Sequence, residues 1–84
     1  MKAISFEVMN SGDQSFFINE PNGMTDVVNS GQTKTCSDRG VYSVCLKDNV
    51  RAFEINFHDG NLNITKGLDH TPPDMSARIT ARMN

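Results

Sequence analysis

The residues of this chain best suited to chemistry are two histidine–carboxylate neighbours, His58-Asp59 and Asp69-His70. Together they offer imidazole nitrogens and carboxylate oxygens, a donor set that suits a divalent metal. Their spacing matches no metal-binding motif. His58 borders an Asp-Gly reversal and His70 precedes Pro72-Pro73, so solvated loop positions account for both, and the expectation is that the protein holds neither metal nor cofactor. Cys45 with either histidine would make a nucleophile and a base, but a reactive thiol needs an electropositive, partly open setting and a third group to orient the base. The neighbours of Cys45 in sequence supply neither, and an inert, buried or semi-buried thiol is the expectation.

Other patterns are weaker. Asn19, Glu20 and Asn22 before Gly23, and Asp59 with Asn61 around Gly60, are oxygen-rich, but they lack the alternating acidic ligands and the bidentate Glu of a calcium loop. Turn formation explains all five. With no Trp and one Tyr, a stacking platform for bases or sugars is hard to build, and the glycines stand singly rather than as a phosphate loop. Asn63-Ile64-Thr65 matches a glycosylation acceptor, which matters only on a eukaryotic secretory route.

Two features point to contact with a partner. Arg78 and Arg82, with Thr80 between them and Ser76 beyond, would share one strand face about 13 Å apart at ~3.3 Å per residue, a row able to meet an acidic group. A solvated outer face is the plainer account of them. Phe16 and Phe17 are adjacent, so in a strand one enters the core and the other is either a contact residue or covered by a second sheet or subunit. The candidate binding residues are therefore Arg78, Arg82, Phe16 and Phe17.

The elements that must position them read as short strands. Ala3 to Met9 places Ile4, Phe6 and Val8 on one face, and Ser5, Glu7 and Met9 on the other. Asn10-Ser11-Gly12-Asp13 is turn material, Ser15 to Asn19 a strand, and Glu20-Pro21-Asn22-Gly23 a tight reversal. Met24 to Val28 and Thr33 to Cys36 are further strands. Ser37-Asp38-Arg39-Gly40 is expected to close a hairpin onto Val41 to Leu46, with Tyr42, Val44 and Leu46 on one face. That register offsets Cys36 and Cys45 by about 13 Å along the sheet, beyond the roughly 7 Å a disulfide spans, so both thiols should be free. After the turn Lys47-Asp48-Asn49, the run Arg51 to Phe57 carries Phe53, Ile55 and Phe57 on one face and is expected to be the central strand. Asp59-Gly60 between Phe57 and Leu62 is a strong hairpin signal, with positive φ expected at both residues. Gly67 to Asp74, with its two prolines, is a loop.

The last stretch fits two periods. Met75, Ala77, Ile79, Ala81 and Met83 alternate with polar residues, while Met75, Ile79 and Met83 also fall one helical turn apart with Asp74 as a cap. All nine positions obey the two-residue period, which favours strand. The expected core is Phe6, Val44, Phe53, Ile55, Phe57, Leu62 and Ile64.

Seven or eight short, mainly antiparallel strands with a turn signal every eight to twelve residues define an all-β fold, a small β-sandwich or partly open barrel. At 84 residues, all of it falls in a single β domain spanning 1–84. A hydrophobic fraction of 37% and a mean hydropathy of -0.44 suit a soluble globular chain, and no apolar run approaches the roughly 18 residues of a spanning helix. The formal charge of -2 argues against nonspecific binding to nucleic acid. The alternating N-terminus lacks the apolar core of a secretory signal, so a cytoplasmic location is expected, or a secreted one if Met1 was added ahead of a mature chain.

These readings converge on a noncatalytic binding module, a small regulator or inhibitor that acts by protein–protein contact through a strand edge or face. A structural subunit of a homo-oligomeric assembly is the alternative, since unpaired strand edges associate. A metal-dependent enzyme built on His58 and His70 ranks third.

Overall fold

The computed structural model describes residues 2–46, 51–66 and 77–83, and among these it contains eight strands and no helix. They are β1 (Ala3–Asn10), β2 (Phe16–Asn19), β3 (Thr25–Val28), β4 (Thr33–Cys36), β5 (Gly40–Cys45), β6 (Arg51–His58), β7 (Asn61–Lys66) and β8 (Ala77–Met83). They form two sheets in which every pairing is antiparallel: three strands in the order β4-β1-β8, and five in the order β3-β2-β5-β6-β7. The sheets do not close into a barrel; they are the two layers of a sandwich. The C-terminal stretch is a strand, in register with β1 from Asn10 opposite Ala77 to Ala3 opposite Met83. The turn at Lys47-Asp48-Asn49, the Gly67 to Asp74 loop, and Asp69, His70, Met75 and Ser76 lie outside the described residues.

Alternation of apolar and polar side chains puts one face of each sheet inward, and the two inner faces meet on aromatic rings. Phe6 from β1 meets Tyr42 from β5 edge to face at 5.0 Å between ring centroids, and Phe57 from β6 at 5.4 Å. Around them lie Val8, Phe16, Ile18, Val28, Cys36, Val44, Leu46, Ala52, Phe53 and Ile55, all buried in one continuous cluster. Six of the seven expected core residues are in or against it, Leu62 being partly buried.

Ile64 is not. It is 41% exposed although it stands opposite Ile55 on the inward register. The reason is width: β7 is the edge of a five-stranded sheet covered by one of three strands. Ile4 departs from the alternation as well. The β1–β8 register shifts between Ala3 and Ser5, a bulge that turns Ala3 inward and leaves Ile4 56% exposed. A second shift, between Val44 and Cys45 against β6, lets the neighbours Ala52 and Phe53 both face the core.

The hairpin expected at Ser37-Asp38-Arg39-Gly40 does not form. β4 pairs with β1, whereas β5 pairs with β2 and β6, so these residues carry the chain from one sheet to the other. The crossing sets Cys36 opposite Phe6 in the smaller sheet and lets Tyr42 pack onto Phe6 from the larger one. A tight hairpin would have kept both on one sheet. The crossover is pinned by the Tyr42 hydroxyl, which donates to the Asp38 carbonyl at 2.6 Å, the bond of a tyrosine corner. Both cysteines are free, as expected, but for another reason: Cys36 faces the core from the smaller sheet, while Cys45 lies on the outer side of the larger one.

The hairpin at Asp59-Gly60 is as expected, with φ of 51° and 78° at its two central residues.

Candidate functional site

Of the four candidate binding residues, Phe16 is fully buried in the core, so it offers nothing to a partner. Phe17 takes the outer face of the five-stranded sheet, between Val27 and Cys45 in register. There it is half-buried, and the Asn19 amide donates to the Cys45 sulfur at 3.4 Å beside it. Arg78 and Arg82 stand exposed on the outer face of the other sheet, opposite Met9 and Ser5. The fold therefore places Phe17 and the arginine row on opposite sides of the sandwich, and they do not make one site.

The arginine row is the more accessible of the two. From Thr80 to Met83 every residue of β8 is exposed, on both faces of the strand. Among the described residues β8 pairs only with β1, which leaves its far edge open. Arg82 donates to Glu7 with Nη1 at 2.8 Å from Oε1, while Arg78 has no ion-pair partner among the described residues. An arginine carries five N–H donors, so Arg82 can hold Glu7 and still meet a second acceptor.

The opposite flank, where β3 and β4 run side by side, has different chemistry. Lys34 stands opposite the buried Val8, and Asp26 opposite the buried Ile18, so both charges lie on inward registers of edge strands. Their side chains meet at 2.9 Å, with Glu20 at 3.8 Å from the same ammonium. A hydrogen bond with Asp26 pushes the Glu20 carboxyl above its ordinary range, with burial adding to the effect. The Asp26 carboxyl is held down, chiefly by its hydrogen bond with Lys34. Lys34 is raised by the same contact. A cleft of about 310 Å³ opens there, lined by Asp26, Val27, Val28, Gln32, Thr33 and Lys34. Its cation and anion already neutralise each other.

Sequence reasoning missed this cluster. The signal was a charge two residues from an apolar neighbour on one face, Lys34 with Cys36 and Asp26 with Val28, which is how inward-pointing charges guard an edge. It also took Asn10 as ordinary turn material. Asn10 is fully buried and holds three segments together. Its amide donates to the Gln14 carbonyl at 2.8 Å and the Val28 carbonyl at 2.9 Å, and its side-chain oxygen accepts from Gly12 N–H at 3.0 Å.

His58 is exposed, with Nε2 3.1 Å from the Asp59 carboxylate, which also lies 3.7 Å from Arg39. His70 lies outside the described residues. In the first oxygen-rich turn the two asparagines serve the turn itself, Asn22 accepting from Met24 N–H at 3.0 Å and Asn19 from the Thr25 hydroxyl at 2.6 Å, while Glu20 joins the Lys34 cluster. Among the described residues no helix is long and apolar enough to cross a membrane.

Comparison with protein-family models, with curated proteins and with solved structures finds no match for this chain.

Proposed function

We propose that this protein is a noncatalytic binding module, a small cytoplasmic regulator or inhibitor of another protein, which docks through β8. The observation that carries this reading is the exposure of β8 with Arg78 and Arg82 on its outward face and its far edge open among the described residues. The groups whose ionisation the fold perturbs support it. Cys36 and Tyr42 are packed in the core, and Glu20, Asp26 and Lys34 are engaged with one another, so each has a structural role. Two free thiols fit a reducing compartment.

The test is chemical cross-linking and affinity capture from the source cells with the wild-type chain and with Arg78→Glu/Arg82→Glu in parallel. A partner held by the first and lost by the second, with the melting temperature little changed, supports docking through β8. Equal capture by both moves the site elsewhere. The edges of β7 and β8, open among the described residues, also favour the structural-subunit reading, and sedimentation separates the two, because a closed or growing oligomer of the isolated chain would point to self-assembly.

A further inference from the structure

The two flanks of the sandwich are chemically unlike. On one, the edge strands β3 and β4 are four residues long and turn charges inward, Asp26 against Lys34 at 2.9 Å, which blocks an added strand from continuing the apolar layer. On the other, β8 is seven residues long, and its inward positions are Ala77, Ile79, Ala81 and Met83, of which Ala81 and Met83 are exposed. Ile64 on β7, the end strand of the other sheet at this flank, is exposed as well. Among the described residues, this flank offers an incoming strand an open ladder with uncovered apolar side chains on the inward register.

A second copy of the chain is a poor occupant by symmetric β8–β8 pairing. A symmetric antiparallel β8–β8 pair that uses the whole strand is centred on Thr80, and it sets Arg78 of each copy directly opposite Arg82 of the other. Like charges opposed across a ladder are destabilising. The same geometry favours an acidic strand, whose carboxylates would face both arginines.

We infer that β8 receives, by antiparallel strand addition, an extended segment of a partner protein that carries acidic residues four positions apart with apolar residues between them. The acidic residues stand opposite Arg82 and Arg78 on the outer face. The apolar residues stand opposite Met83, Ala81, Ile79 and Ala77 and extend the inner layer. Main-chain hydrogen bonds hold the segment and the alternation selects it, as in other strand-addition complexes. This inference rests on the reading of β8 as the docking strand.

The test uses the whole protein and two synthetic peptides of one composition, Val-Glu-Val-Thr-Val-Glu-Val and Val-Val-Thr-Glu-Glu-Val-Val, each with solubilising Gly-Ser ends. In a strand, only the first can present both glutamates on one face. In amide NMR spectra, titration with the first peptide should shift and protect the Ala77–Met83 amides, with the second binding at least about tenfold more weakly. Arg78→Glu should weaken the first peptide, and a version with Lys in place of Glu should bind Arg78→Glu/Arg82→Glu better than wild type. Arg78→Glu alone leaves the Arg82–Glu7 pair intact, so it keeps the test valid if the double variant folds poorly. Equal binding of the two peptides, no binding, or protection on β3, β4 or β7 instead would overturn strand addition at β8. Shifts confined to outward side chains around Arg78 and Glu7, with no amide protection, would also overturn it while leaving β8 as a docking face.

Discussion

Lys34 of β4 and Asp26 of β3 meet at 2.9 Å across the gap between the two sheets, each on a register that would otherwise carry an apolar core residue. The contact ties the layers at one flank and keeps a charge in the path of any strand that would add there. Both side chains keep contact with water, so its energetic contribution is small and its effect is on association.

Replacing Lys34 with Met should therefore change the melting temperature little but make the protein associate. Light scattering and sedimentation velocity at matched concentrations measure this. A Lys34→Met chain that sediments as the wild type does would remove the guarding role from this pair.

Stability should fall at alkaline pH. Burial pushes the Cys36 thiol from 9.0 up to about 11 and the Tyr42 hydroxyl from 10.0 up to about 12, and Asp26 raises Lys34. Each group holds its proton more tightly folded than unfolded. The contribution is thus complete below the unfolded values and is lost as pH rises toward the folded ones, beginning near 9. A combined loss of order 1–3 kcal/mol by about pH 11 is expected from urea midpoints. Cys36→Ala should flatten the lower part of that decline, and Tyr42→Phe the upper part. An unchanged slope in both variants would contradict the assignment.

Tyr42→Phe should also weaken the crossover at neutral pH, because the Asp38 carbonyl loses its 2.6 Å donor. About 1–2 kcal/mol is expected. Backbone amide exchange should quicken first around Asp38 to Gly40, and uniform quickening would argue against a local tie.

Asn10→Ala should cost about 2–4 kcal/mol, through unmade hydrogen bonds and a small cavity. Asn10→Asp should cost more, since a carboxylate cannot donate to the Gln14 and Val28 carbonyls and would be buried without a counter-charge. Denaturant midpoints that rank the two variants the other way would overturn this account of Asn10.

At Gly60 a side chain meets two obstacles. The backbone has φ of 78°, and a Cβ would overlap the Lys2 side chain where the Ala3 N–H donates to the Gly60 carbonyl at 3.1 Å. Gly60→Val should destabilise by about 1–3 kcal/mol. In a Lys2→Gly background the penalty should shrink but persist. Full recovery there would mean that the overlap alone matters and that the left-handed conformation costs nothing.

Much of the layout was legible locally. The strand Thr33–Cys36 has the bounds that its sequence suggests, and Asp59-Gly60 makes its turn. The C-terminal stretch is extended, as its two-residue period favoured over the helical one. The arginine row was legible in the same way, because residues two and four apart on a strand must share a face. The inward charges at Lys34 and Asp26 were harder to read, since a charge beside an apolar run is ordinarily a solvated one.

By itself, then, the sequence determined which segments are extended, where the chain reverses and which side chains share a face, because these depend on φ preferences and on alternation between near neighbours. Only the tertiary structure decided which strands pair and which layer each joins. Cys36 and Tyr42 are six positions apart yet belong to different sheets, Cys36 opposite Phe6 in one and Tyr42 packed on Phe6 from the other. Packing likewise took Phe16 inward and left Phe17 outside, put a bulge at Ile4, and left Ile64 uncovered where five strands overhang three. Alternation names two faces without saying which one will be buried; that depends on contacts between residues far apart in the chain, which no local pattern encodes.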